Sequence, residues 1–235
     1  MRSSLLIRII LILAFYLGLK YFGGDIGRKI LYPINLFVTF LHEFGHALGA
    51  VITGGSVENV QVNQDGSGFT RTIGGNRSVT LMGGYLGSAL FGNILFLVGA
   101  KMKPLVKPFL GLLASGMIFT ALFWFNSVFT TGFLIAFALL LFLIIWKTNF
   151  GREVLMFLGL ASIIFIIQDF NVGPSSDLKK YAEIMRVLPA NVWMYIWLGI
   201  AIVLFYFNIK MILREDKKGP LDDGDDSFLN MPKSA

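Results

Sequence analysis

Long apolar runs separated by short polar breaks dominate the chain. Seven of them approach or reach the roughly 17–25 residues that cross a hydrocarbon core. They are Leu5–Tyr21, Leu31–Ile52, Val79–Ala100, Leu105–Phe125, Val128–Trp146, Val154–Gln168 and Val192–Leu213. The fourth and fifth meet at Asn126-Ser127, a join short enough to require an antiparallel pair. The first contains Arg8 and is followed by no small-residue cleavage site, so it reads as a retained anchor and not a signal peptide.

Two segments break this pattern. Residues Ser56 to Thr72 are polar but rich in β-branched side chains on either side of Asp65-Gly66, which predicts a β-hairpin with glycine supplying a positive φ at its turn. Between Val172 and Pro189 lies a polar loop. Within it Asp177–Leu188 predicts a short amphipathic helix, capped by Ser176, with Leu178, Tyr181, Ile184, Met185 and Leu188 on one face. The fold class expected is therefore an all-α polytopic membrane protein of about seven transmembrane helices, with one small β-hairpin between the second and third. Residues 1–213 form the membrane-embedded domain, and 214–235 read as a disordered acidic tail.

Composition agrees with a membrane protein. Of the 235 residues, 55% are hydrophobic and 14% charged, with a mean hydropathy of +0.72, against about 25% charged in soluble domains. A net charge of +6 in so apolar a chain suits loops facing anionic lipid and argues against a nucleic-acid partner. Dividing Lys and Arg between the two faces puts thirteen on the side of the C-terminal tail and seven, Arg2 and Arg8 among them, on the other. The positive-inside rule then places the tail in the cytoplasm and the N-terminus outside, in a multi-pass protein expected at the cell membrane. Cys is absent, which excludes disulfides, thiol nucleophiles and Cys-ligated metals.

Only two His residues occur, and both fall in the second span, in His42-Glu43-Phe44-Gly45-His46. This is an H-E-x-x-H pattern. Residues four apart share a helix face, so both imidazoles can reach one metal ion while Glu43 stands beside it as a general base. In a soluble helix such a pattern is often only solvated surface. Inside a membrane, burying Glu costs roughly 2.5–3.5 kcal/mol on insertion scales, and a polar cluster there demands a purpose. One zinc ion is the natural occupant.

Catalytic zinc usually has three protein ligands. With no third His and no Cys, the third should be a carboxylate. Six acids belong to the tail, Glu58 and Asp65 to the hairpin, Asp25 precedes the second span, and Glu153 can pair with Arg152. Asp169, Asp177 and Glu183 remain. Asp169 is preferred, because it ends a sixth span too short for a full crossing, as a ligand at the depth of the motif requires. The third span carries Gly84, Gly87, Ser88 and Gly92 at helix-packing spacing. Plain packing explains them. A sharper reading sets this helix against the metal helix, with Ser88 or Asn93 hydrogen-bonding substrate or intermediate.

These features together resemble the intramembrane zinc metalloproteases of the site-2 protease class, peptidase family M50, in its compact M50B-like branch. The likeness rests on Phe40–Ala50, the hairpin, the Gly83–Asn93 helix and the Asp169 region, and only the first is sharply specific. It implies zinc held by His42, His46 and, by position, Asp169, with Glu43 as general base. It also implies a re-entrant hairpin that presents an extended substrate strand. The expected partners are the bilayer and a membrane-protein or peptide substrate. Two rivals stand beside this reading: a transporter using the His/Glu cluster as an ion site, and an inactive family member acting as a scaffold.

Overall fold

A computed structural model describes the backbone of residues 2–125, 127–169, 173 and 176–213, and their side chains except at 2–4, 166–169 and 213. Asn126 and the acidic tail therefore lie outside the described residues. Eight α-helices appear among those described: α1 (Arg2–Phe22), α2 (Gly24–Ile52), α3 (Arg77–Lys101), α4 (Val106–Phe123), α5 (Val128–Lys147), α6 (Gly151–Asp169), α7 (Asp177–Met185) and α8 (Ala190–Leu213). Strands β1 (Ser56–Val62) and β2 (Gly68–Ile73) form an antiparallel hairpin between α2 and α3.

Every predicted span is a helix, but five stretches are long and apolar enough to cross a membrane. They are Leu5–Phe22, Arg77–Lys101, Lys103–Phe123, Val128–Lys147 and Ala190–Ile212. Among the described residues this measure supports five of the expected seven. The run in α2 is interrupted by Asn35, His42, Glu43 and His46, and α6 opens on Arg152-Glu153. The outer helices turn large apolar side chains outward, such as Leu139 and Leu143 on α5 and Val203 and Phe207 on α8. Trp146, 85% exposed, closes α5 beside Lys147, as suits a residue at a membrane–water boundary.

Helix α3 is the hub, packed against α2 on one side and α6 on the other, with α7 and α8 also touching it. Glycine makes both main contacts close. A Cβ on Gly45 of α2 would lie 2.0 Å from the Gly83 carbonyl oxygen, and one on Gly159 of α6 would lie 2.5 Å from the Phe96 nitrogen. Small residues thus let backbones touch, the usual basis of helix association in lipid. Across the α3–α8 contact, Asn208 Nδ2 donates to Asn93 O at 2.7 Å and to Asn93 Oδ1 at 2.9 Å.

Two charged pairings differ from expectation. Arg8 pairs with Glu153 at the start of α6. Arg152, the expected partner of Glu153, instead donates to the carbonyls of Gly99 and Ala100 at the end of α3. Oppositely charged groups in contact cannot sit on opposite faces of a bilayer. Arg8 therefore belongs with Arg152, contrary to the sequence division that set them apart.

The hairpin lies along α2. Its turn has the expected chemistry: Gly66 has φ +89°, and Asp65 Oδ1 accepts from the Ser67 N–H and hydroxyl. Those bonds hold the Asp65 carboxyl below its ordinary value. The tip is fastened by Tyr32 Oη to Gln64 O and by Thr39 Oγ1 to Gly66 O, each 2.7 Å. On the far edge of β1, the Val60 N–H donates to Trp124 O and the Val62 N–H to Thr130 Oγ1, while Val60 and Val62 are fully buried. One edge of the hairpin is thus sealed against the α4–α5 connection, and β2 is left facing a cavity.

Candidate metal centre

The motif residues occupy the middle of α2, where Phe37, Phe40 and Leu41 anchor the helix in the core. His42 and His46 stand one turn apart and converge with their Nε2 atoms 3.1 Å from each other. Asp177 Oδ2 lies 3.1 Å from the first and 3.0 Å from the second. These three side chains are the one metal-capable cluster among the described residues.

The geometry fits an ion. Tetrahedral zinc ligands at about 2.0–2.1 Å lie roughly 3.3 Å from one another, so the observed triangle needs adjustment by only a few tenths of an ångström. Proton chemistry points the same way. His46 Nδ1 lies 2.7 Å from the Thr80 carbonyl oxygen, which can only accept. In the neutral imidazole the proton therefore sits on Nδ1, and Nε2 presents a lone pair toward the carboxylate. Lone pairs that meet so closely need a cation among them, a proton or a metal ion. Burial acts to raise the Asp177 carboxyl, but its hydrogen bonds with His42 and His46 together outweigh this and hold it well below the usual carboxylate range.

Asp177 reaches this position because α7 is pinned. Ser176 caps it, accepting from the Lys179 N–H, and Leu178 and Tyr181 are buried. The Tyr181 ring meets Trp193 and Trp197 of α8 edge-on, and its hydroxyl donates to Met82 Sδ of α3. Arg186, with φ +53°, then ends the helix. The sequence reading had preferred Asp169, whose side chain lies outside the described residues. The carboxylate found at the imidazoles is the alternative it ranked lower, since elimination judged distance along a span and not the return of a folded loop.

Gly84 completes the cradle. A Cβ there would lie 2.4 Å from His46 Cε1, 2.5 Å from His46 Nε2 and 2.7 Å from His42 Cε1. Helix α3 thus abuts the metal helix, as the sharper reading held, but through a missing side chain. Ser88 and Asn93 do not line the cavity: Ser88 donates to Gly84 O and Asn93 to Ala89 O, both buried within α3. These contacts agree with the plain packing reading and lend the alternative, a hydrogen bond to substrate or intermediate, no support. If the cluster holds a metal ion, Gly84→Ala should swing both rings and weaken zinc binding by at least about 10-fold, an outer-shell-sized effect, with the helical content of the bundle preserved. Zinc titration monitored beside circular dichroism measures both.

Glu43 is 5% exposed and lies on the hairpin side of α2. Thr70 Oγ1 of β2 is 2.8 Å from its Oε2 and 2.9 Å from its backbone oxygen. A Cβ on Gly68 would lie 2.8 Å from Oε1. His42, Glu43, His46, Asp177 and the whole run Asp65–Thr72 line a cavity of about 1070 Å³. A polar cavity beside the motif and the hairpin is what water access to the site requires.

The family profile described as Peptidase M50B-like matches residues 6–208, nearly the whole described chain. The chain belongs to that family. It is thus a member of peptidase family M50, the site-2 protease group, with helices suited to a multi-pass membrane protein. No curated protein and no solved structure matches it significantly. Within the M50B-like match fall every residue of the cluster and the entire hairpin.

Proposed function

We propose that this M50B-like protein is an intramembrane zinc metalloendopeptidase that hydrolyses peptide bonds of membrane-embedded or membrane-proximal substrates. The observation that carries the reading is the convergence of His42, His46 and Asp177 within a cavity that also holds Glu43 and one strand edge. His42 and His46 through Nε2 and Asp177 through Oδ2 would hold the ion. Bound there, zinc would polarise a carbonyl and acidify a water molecule.

The chain's own groups supply the rest. Glu43, buried and adjacent to the cluster, takes a proton on its carboxylate and returns it to the leaving amine. The edge of β2 offers a platform for an extended polypeptide. Val60 and Val62 direct their N–H groups away from β2, so in the antiparallel register their partners Thr70 and Gly68 direct N–H and C=O groups outward on the opposite edge. Among the described residues no backbone group pairs with that edge. A substrate strand added there would be held by main-chain hydrogen bonds, whatever its sequence. A helical substrate must unwind to use it, because a helix keeps its carbonyls in intrachain bonds.

The test is reconstitution in detergent with a purified single-span polypeptide as substrate. Cleavage is expected from the zinc-loaded protein, to stop on chelation and to return on adding zinc. Cleavage that persists in metal-free protein, or ion flux in vesicles without any cleavage, would replace this reading with another.

A further inference from the structure

We infer that Thr70 is a positioning residue that couples the general base to the strand on which substrate lies, an inference that rests on the peptidase reading above. The Glu43 carboxylate is held from two sides by one strand. The Thr70 hydroxyl bonds Oε2 at 2.8 Å, and the bare backbone of Gly68 closes against Oε1, where a Cβ would come within 2.8 Å. Among the described residues, Thr70 is the one side chain that hydrogen-bonds this carboxylate. The same hydroxyl lies 2.9 Å from the Glu43 backbone oxygen, so it sits between two acceptors of a single residue. A threonine that only fastened the hairpin to α2 would need the backbone contact alone.

The peptide group of Thr70 belongs to the outward set on β2. One residue therefore faces the substrate strand with its backbone and the base with its side chain. The separation between scissile bond and base is then set through a single residue on a short strand, itself fastened at the tip by Tyr32 and Thr39. Geometry of this kind matters because a displacement of about 1 Å in a catalytic group can cost roughly 10²-fold in rate.

Thr70→Val keeps the shape and removes the hydroxyl; Thr70→Ser keeps the hydroxyl and removes the methyl. Both are compared with wild type and Glu43→Gln, purified in detergent, for zinc content and for kcat and KM on a purified single-span polypeptide carrying a fluorogenic reporter. Thr70→Val is expected to retain full zinc and a KM within about 3-fold while kcat falls about 10²-fold, and Thr70→Ser to recover most of kcat. A wild-type kcat in Thr70→Val overturns the inference, as does a Thr70→Ser variant that falls as far as Thr70→Val, or a loss confined to KM or to zinc. Each of these leaves the peptidase reading standing so long as wild type cleaves and Glu43→Gln does not. That substrate left intact by wild type, or cleaved by Glu43→Gln, defeats the peptidase reading and this inference with it.

Discussion

Asp177→Ala is expected to empty the metal centre, whereas Asp169→Ala is expected to leave it loaded. Two imidazoles remain after the first change, but a two-ligand site loses the anionic member that balances the ion's charge. The fall in affinity should exceed the roughly 10–100-fold that loss of an outer-shell partner costs. Helix α7 should stay docked, because Leu178 and Tyr181 and not Asp177 bury it. The Ser176 cap persists as well. Zinc per polypeptide, measured by elemental mass spectrometry on protein purified in parallel, separates the two carboxylates. Full occupancy in Asp177→Ala together with loss in Asp169→Ala would restore the ligand that the sequence favoured.

How that ligand escaped the sequence shows where reading a chain runs out. Every helix but α7 was legible because it contains a long apolar run, and the hairpin because Asp65-Gly66 is a strong turn signal between β-branched stretches. The imidazole pair was legible because four residues of helix put two side chains on one face whatever the tertiary fold. Asp177 had no such local guarantee. Its signal was indirect: a capped amphipathic helix must dock its apolar face somewhere, and an acid in its first turn goes with it. Leu178 and Tyr181 did dock, while Ile184 and Met185 stayed over a third exposed, so the sequence also drew that face too long. Gly84 was visible as a small residue, but that it makes room for two imidazoles depends on how α3 crosses α2. Thr70 carried no signal at all, since its meeting with Glu43 depends on both hairpin register and docking. The same limit explains Arg8. Its pairing with Glu153 spans most of the chain and cannot be inferred by counting charges loop by loop.

Glu43→Gln is expected to abolish turnover while sparing the metal. The substitution is nearly isosteric, so the amide oxygen can still accept from Thr70 and the space beside Gly68 stays filled. Neither His42, His46 nor Asp177 depends on the Glu43 carboxylate for its position: the imidazoles are set by α2, by Gly84 and by the Thr80 carbonyl, and Asp177 by α7. Zinc content should therefore match wild type. What disappears is, among the described residues, the one buried carboxylate beside the cluster that can take a proton and give it back, an effect of about 10²–10⁴-fold on kcat for a positioned acid–base residue. Stability should not fall, because the amide keeps the shape of the carboxylate and can still accept the Thr70 hydrogen bond that holds it. Thermal unfolding followed by circular dichroism, zinc analysis and cleavage of a single-span substrate give three independent readouts. The expected pattern is unchanged, unchanged and lost. If cleavage survives at the wild-type rate, Glu43 is not the base and the proton must be carried by another group lining the cavity. If zinc is lost along with activity, Glu43 is part of the ligand set, and its place in the H-E-x-x-H pattern must be assigned anew.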